Sequence, residues 1–388
     1  YLKGFKCQLG NNTLSELKEI DLRSLATVDS SEKSYLSFYI NFAKIKMDDI
    51  LSDRYVKKRF QVLLKLLSPQ LKHKFEESMY ELVKLLRNTT IRKKMKKELV
   101  EGMVFFVDME HGNCFIFFLP RGVNNLMVVD SSPYIKPLAN LLEEWEDSLI
   151  IFMDENHAAI YHVSFTEMVT EKRFKKDIFH SHKKGGWSQM RFQRIRDGAL
   201  KHFYKEVAEE VEKLLAREKI NRIFIAGPGD AKKHLFSYLS KFVKEKVVSY
   251  LETEGEMDGK TLWEMSLVPF FEKEEREEKE FVEALSSQIL KEGLAVYGID
   301  EVIKATREGK AELILLATGK RLPGFKCEEC DVLERTVSIC PLCSKRMGGV
   351  DLMEEVVELA QLMKTNVEFI KKSELLESLG GIAAFLRY

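Results

Sequence analysis

The sequence predicts an α/β (α+β) protein built as three mixed α/β domains, the last with an inserted metal-binding knuckle, and three observations predict it. Short apolar runs with strand chemistry alternate with helical stretches of 3.6-residue period along the chain. In mid-chain a strand, a tight Gly227-Pro228-Gly229-Asp230 turn and a helix follow in order, as in a βαβ-like layered sheet. Four of the six cysteines crowd between Cys327 and Cys343. The expected divisions are residues 1–147, 148–275 and 276–388, each long enough to bury its own core.

The first segment opens with a strand at 36–42, followed by a long, basic, strongly periodic helical zone from about Val56 to Leu99. Strands are expected at 103–108, 114–119 and 126–130, separated by turns at 110–113 and 120–122. Pro133 and Pro137 bracket the entry to a helix reaching about Glu146. The second segment starts with a hairpin, 148–154 and 157–163, around Asp154-Glu155-Asn156. A long amphipathic helix from Arg191 to about Arg217 leads to a buried strand at 221–227 and a helix at 231–243. The charge run Glu272–Glu280 reads as a solvated helix face at a domain junction. In the last segment a helix runs to about Gly293, Gly298-Ile299-Asp300 caps a helix to Glu308, and a strand covers 311–318. Beyond the cysteines come a helix at 352–364, a strand at 367–370 and a Gly380-Gly381 turn.

The composition is 45% hydrophobic and 31% charged, with a formal net charge of zero. Any nucleic-acid surface must therefore be a local patch rather than the whole molecule. No apolar run approaches the roughly eighteen residues a membrane span needs, and nothing at the start reads as a secretion signal. Cys7 and Cys114 stand alone while the other four cluster, which suits a reducing, cytoplasmic setting better than a disulfide framework.

Cys327-x-x-Cys330 and Cys340-x-x-Cys343 form two knuckles separated by nine residues. Each two-residue gap lets a turn aim two thiolates at one point, and two such turns complete a four-sulfur site with no open position. The expected occupant is a structural zinc ion. Iron stays open as an alternative, and unrelated surface thiols are the bland reading.

The most unusual stretch runs from His180 to Arg194, where a paired glycine, Gly185-Gly186, sits in a basic loop and a helix follows at once. From Glu171 through Lys205 there are eleven Lys or Arg against three acids. Glycines permit close backbone approach to a reacting group, while Lys183, Lys184, Arg191 and Arg194 are placed to grip phosphates. The bland reading is a solvated helix face, with Ser188 as a helix N-cap. The Gly227-Pro228-Gly229 turn lacks a following Gly-Lys-Ser/Thr, so nucleotide hydrolysis is unsupported.

Gly185-Gly186-Trp187-Ser188-Gln189-Met190-Arg191-Phe192-Gln193-Arg194 resembles the catalytic loop and following helix of archaeal and eukaryotic class 1 peptide-chain release factors, where the pattern is Gly-Gly-Gln-Ser-x-x-Arg-Phe-x-Arg. The stretches at 223–230, 297–303, 309–313 and 379–388 are similar to later motifs of that family, and archaeal members carry a paired-cysteine zinc knuckle where Cys327–Cys343 stands. Two departures stand out. Trp187 occupies the glutamine position and a glutamine follows only at Gln189; the N-terminal segment has no Asn-Ile-Lys-Ser codon-reading sequence. Instead, 113–119, 129–134 and 137–138 resemble the divergent bacterial and archaeal release-factor-like branch, related to Pelota, Balon and the ribosome-quality-control peptidyl-tRNA hydrolases.

The resemblance implies a tRNA mimic that binds the ribosome, contacting rRNA and peptidyl-tRNA, without stop-codon decoding. It implies a catalytic role for Gly185, Gly186 and Gln189 in hydrolysing peptidyl-tRNA, and RNA contacts from Lys183, Lys184, Trp187, Ser188, Arg191 and Arg194. A translational GTPase is the implied protein partner of the C-terminal segment; neither DNA nor membrane is implied. The alternative is a hibernation factor that fills the A site and peptidyl transferase centre without hydrolysis, Trp187 stacking on a base. A non-ribosomal RNA-binding protein is the third reading.

Overall fold

A computed structural model describes residues 6–9, 22–28, 33–97, 100–119, 121–144, 147–164, 167–175 and 187–388. The chain forms two compact units, Tyr1–Glu144 with Glu280–Tyr388, and Trp145–Lys279.

In the first unit a five-stranded sheet is ordered Lys6–Leu9, Asn113–Leu119, Gly102–Asp108, Tyr35–Asn41, Leu126–Asp130. Only the Lys6–Leu9 pairing is parallel, and it places Cys7 opposite Cys114. Cys114 is disulfide-bonded, which corrects the expectation that it stands alone. Tyr35–Asn41 and Gly102–Asp108 are buried along their whole length because both faces of the sheet are covered. Leu36, Phe38, Ile40, Met103, Phe105 and Val107 pack on one face against the helical zone.

That zone is three helices, Arg54–Leu66, Pro69–Leu86 and Thr89–Lys97, rather than one. The breaks fall where side chains cap. Asp53 accepts from the N–H groups of Tyr55 and Val56, Ser68 accepts from Leu71 ahead of Pro69, and Asn88 accepts from Thr90 and Ile91. Phe60 stacks on Phe75 with centroids 4.9 Å apart, joining the first two helices.

The opposite face of the sheet carries the polar contacts. The Tyr39 hydroxyl donates to the Tyr134 carbonyl at 2.7 Å, and the Tyr134 N–H donates to Ser37 Oγ at 2.9 Å. These bonds fix residues 131–136 at the entry to the Lys136–Glu144 helix, against the Leu352–Met363 helix of the C-terminal part. Glu354, Glu355 and Glu358 of that helix are all buried. Glu354 accepts from the backbone N–H groups of Ile135 and Lys136, and Glu358 from Ser132 Oγ at 2.5 Å. Lys136 Nζ pairs with Asp351 at 2.7 Å, Tyr134 donates its hydroxyl to the same carboxylate at 2.7 Å, and Lys326 pairs with Glu355 at 2.9 Å.

Among the described residues only two lysines, Lys136 and Lys326, pair with these four acids, and burial raises three of the carboxyls. Burial pushes the Glu354 carboxyl up to about 8, helped by Asp351 and opposed by Lys136 and the two N–H donors. Burial and the neighbouring Glu355 and Glu354 raise Glu358 well above the carboxylate range. Burial also pushes Asp351 upward, but Lys136, the Leu322 N–H and the Tyr134 hydroxyl together bring it below its ordinary value.

The C-terminal part of this unit adds a four-stranded sheet, ordered Ala295–Tyr297, Ile382–Leu386, Ala311–Ala317, Asn366–Ile370. Leu285, Leu315, Ile370, Leu376 and Ala383 form its core. Gly298, with φ of 80°, caps the Ile299–Arg307 helix where the sequence predicts.

The second unit is a mixed five-stranded sheet, ordered Val247–Glu252, Ile220–Gly227, Asp147–Met153, His157–Ser164, Glu167–Lys175. Ile220–Gly227 pairs parallel with both neighbours, as the βαβ pattern predicts, and the hairpin is antiparallel. Phe203, Tyr204, Val207 and Val211 of the Trp187–Arg217 helix pack on Leu149, Ile151, Ile223 and Ile225.

At Gly227, with φ of 148°, an added Cβ would lie 1.9 Å from the Met153 carbonyl oxygen, so no other residue fits the start of the turn. Lys232, fully buried, then donates to the carbonyls of Gly227 and Gly229 and pairs with Glu252 at 2.7 Å. The expected helix at 231–243 divides into Ala231–Tyr238 and Lys241–Glu245, the second capped by Ser240. The charge run lies inside one helix, Gly259–Leu290, and is not simply a solvated face: Glu274 and Glu278 are buried, and Glu274 pairs with the buried Arg222.

Two measurements test the acid cluster. Glu354 titrates in the folded chain above its ordinary 4.5, so the stability it contributes is full below about 4.5 and is lost as pH rises toward about 8. Urea unfolding of Glu354→Gln is expected to show a shallower loss of stability across that window than the native chain; parallel profiles would remove Glu354 as its source. Lys136→Met strips Asp351 of its cation and should cost roughly 3–5 kcal/mol, read as a lowered urea midpoint at neutral pH.

Candidate functional site

Two groups of residues carry chemistry. The first is the start of the Trp187–Arg217 helix. Trp187, Ser188, Gln189 and Arg191 all belong to its opening turns, so Ser188 lies inside the helix and is not its N-cap. Lys183, Lys184, Gly185 and Gly186 lie outside the described residues. Gln189 therefore follows Trp187 in the same helical turn, about 200° around the axis from it at 100° per residue.

The long helix holds its cations on a packed scaffold. Phe203, Tyr204, Val207 and Val211 bury one face, while Arg194, Lys201 and Lys205 are exposed and make no ion pair among the described residues. Not all of the eleven basic residues are available. Lys172 pairs with Glu210 at 2.7 Å and Arg173 with Glu256 at 3.0 Å, along the edge strand Glu167–Lys175. The sequence reading missed that strand because its polar and charged residues look like loop, although charge is how exposed sheet edges are kept from pairing with other chains.

The second group is the cysteine knuckle, supported by a three-stranded sheet of Leu333–Glu334, Pro323–Lys326 and Gly348–Asp351. The two knuckles have one geometry. The Cys327 N–H donates to the Val332 carbonyl and the Asp331 N–H to the Cys327 carbonyl; the Cys340 N–H donates to Lys345 and the Ser344 N–H to Cys340. Asp331 and Ser344 take matching left-handed conformations, with φ of 54° and 61°.

The four sulfurs lie within 4.8 Å of one another, with Cys327 and Cys343 3.5 Å apart. Tetrahedral zinc with Zn–S near 2.3 Å sets sulfurs about 3.8 Å apart, so the cluster has the size of a metal site. Cys327 and Cys340 are buried and pack with Met347. The Cys343 and Leu342 N–H groups draw the Cys340 thiol down to about 7, while its hydrogen bond to Cys343 pushes Cys330 up to about 12. Crowded thiolates repel, and a cation at their centre would relieve this. These residues fit a metal ion with four sulfur donors and leave it no open position for chemistry.

The N-terminal helices at 54–97 carry a second concentration of basic charge, which the sequence shows as a basic helical zone without an assigned role. Among the described residues, no helix is long and apolar enough to cross a membrane.

Known proteins resemble this chain over most of its length. Residues 133–262 match the sequence family described as Bacterial archaeo-eukaryotic release factor family 10, and residues 276–388 match eRF1 domain 3. A Peptide chain release factor subunit 1 from Methanobrevibacter smithii is 28% identical over 324 residues, covering 74% of this chain and 78% of the relative. The Methanopyrus kandleri protein of the same description is 32% identical over 211 residues, 52% of this chain and 51% of its own. Among solved structures, S. cerevisiae Dom34, described as a translation termination-like factor interacting with Hbs1, aligns at 17% identity with a TM-score of 0.43, covering 76% of this chain and 81% of its own.

The cysteine cluster is expected to hold one metal ion per purified chain by elemental analysis. Cys330→Ser and Cys340→Ser should each bring that content close to zero and open residues 327–347 to limited proteolysis. Full metal content in both variants would place the ion elsewhere.

Proposed function

We infer that this chain, which belongs to the eRF1/Pelota-like release-factor superfamily, is a ribosome-bound tRNA mimic that frees stalled nascent chains by promoting peptidyl-tRNA hydrolysis without decoding a stop codon. That it is a translation factor related to ribosome-binding release factors follows from the two family matches, which cover the central and C-terminal segments. One observation carries the finer reading. The Gly185-Gly186 pair precedes in sequence a 31-residue helix whose apolar face packs on the sheet and whose Arg194, Lys201 and Lys205 are exposed and make no ion pair among the described residues. Such a helix can present a glycine tip at a distance while the body binds rRNA phosphates.

The chemistry asked of the chain is small. A water oxygen adds to the ester carbonyl carbon, the bond to the ribose oxygen breaks as that oxygen takes one of the water's protons, and the peptide leaves as an acid from a tRNA with a free ribose hydroxyl. Gly185 and Gly186 would let backbone approach the ester, and Gln189 would orient the water; Lys183, Lys184, Ser188, Arg191 and Arg194 would hold RNA. Zinc, held by Cys327, Cys330, Cys340 and Cys343, would be structural. The segment 276–388 is where a translational GTPase would dock, and the ribosome as partner places the protein in the cytoplasm.

Trp187 at the family's glutamine position favours a second reading, in which the same helix fills the peptidyl transferase centre of an idle ribosome and the indole stacks on a base.

A single-turnover assay on purified ribosomes carrying peptidyl-tRNA separates the two. The chain is expected to release peptide, and Gln189→Ala to lower the rate about a hundredfold or more while co-sedimentation with ribosomes persists. Absence of release by the native chain, with binding retained, would leave occupation as its role.

A further inference from the structure

We propose that the Arg54–Leu66 helix and its two successors form a second RNA-binding surface, gripping a phosphate backbone independently of the glycine tip. In a chain of zero net charge, residues 54–97 hold fourteen Lys or Arg against three acids, a steeper excess than around the glycine pair. Little of this charge is used internally. Among the described residues only Lys84 and Arg92 form ion pairs, with Glu81 and Asp48. Arg59 and Lys74 donate to the carbonyls of Met127 and Glu110. Arg54, Lys57, Lys58, Lys65, Lys93 and Lys96 are exposed and make no ion pair among the described residues, and Arg87, also exposed, is close enough to Asp48 to lower its carboxyl without pairing with it.

Their placement is ordered. At 100° per residue, Arg54, Lys57, Lys58 and Lys65 fall within an arc of about 100°, over a rise of about 16 Å. Val56, Phe60 and Leu63 face the other way and pack into the core with Phe75 and Met79. The helix is thus fixed to the sheet while a row of cations looks outward. A rigid cationic row of this length matches several successive phosphates, and the exposed Tyr55, Val62 and Leu66 run along one side of it. Tyr80, 66% exposed on the neighbouring helix, adds an aromatic face of the kind unpaired bases stack on. No codon-reading or base-specific group is required. The grip is sequence-tolerant, and its signature is salt dependence.

The test uses the full chain and a free 30-nucleotide RNA hairpin, followed by fluorescence anisotropy from 50 to 300 mM salt. Lys57→Gln/Lys58→Gln/Lys65→Gln is expected to weaken binding at least tenfold at 100 mM salt. It should also lower the slope of log affinity on log salt by about two to three, at roughly 0.7–0.9 per lost cation. Arg87→Gln/Lys93→Gln, on the other two helices, should give a smaller loss in the same direction, and Arg194→Gln/Lys201→Gln a separate, additive one. Unchanged affinity and slope in the first two variants, with native unfolding midpoints, would overturn the proposal. So would a loss confined to phosphatidylserine vesicles or polyglutamate with RNA binding intact, which would assign the face to a membrane or an acidic protein. Because the RNA is free of ribosomes, the outcome does not depend on whether the glycine tip hydrolyses anything.

Discussion

The first unit depends on a buried contact between the glutamate-bearing Leu352–Met363 helix and residues 131–136. Apolar packing alone would let that helix slide or rotate. Its carboxylates instead select one register, because each has a designated partner: two backbone N–H groups for Glu354, a serine hydroxyl for Glu358 and a lysine for Glu355. A buried acid without such partners would be strongly destabilising, so this contact is made correctly or not at all. Burial raises Glu354, Glu355 and Glu358 together, which lowers the electrostatic cost of bringing four acids into one contact.

Charge is distributed unevenly elsewhere as well. Two cationic concentrations, at 54–97 and 171–205, are offset by acids spread through the rest of the chain. The first stands on a helix anchored to a buried sheet, and the second on a helix whose opposite face forms the core of another. In both, packing supplies the rigidity that lets flexible lysines and arginines act as an array. Long side chains pay less entropy on binding when their backbones are already fixed.

Much of this was legible from residue order. The cysteine spacing announced its cluster, short apolar runs located the strands to within a residue, read at 36–42, 103–108 and 114–119 and found at 35–41, 102–108 and 113–119, and Gly227-Pro228-Gly229 marked the turn that Met153 crowds. What escaped was whatever local pattern does not encode. The strands Glu167–Lys175 and Val247–Glu252 edge their sheet; charged residues hid the first, while the second, Val-Val-Ser-Tyr-Leu-Glu, is apolar enough to read as a strand and was passed over behind the short Lys241–Glu245 helix. Helix breaks at Ser68 and Asn88 needed capping geometry that the running periodicity masked. Glu354, Glu355 and Glu358 look like a solvated stripe until the chain returns to cover them, and Cys7 meets Cys114 only through a parallel ladder. The tip at Gly185-Gly186 remains known from its sequence and from the helix that follows it.

Ser132 and Glu358 hydrogen-bond across a separation of 226 residues. As the polypeptide emerges from its own ribosome, the early sheet with Tyr39 and Tyr134 is therefore complete long before the element that covers its outer face exists. At typical elongation of about 5–20 residues per second, that face waits roughly ten to forty-five seconds for its mate. During this interval an unsatisfied Ile135–Lys136 amide pair and exposed tyrosines are open to water and to chaperones, and the assembly closes only once Glu358 has been made and has left the ribosome.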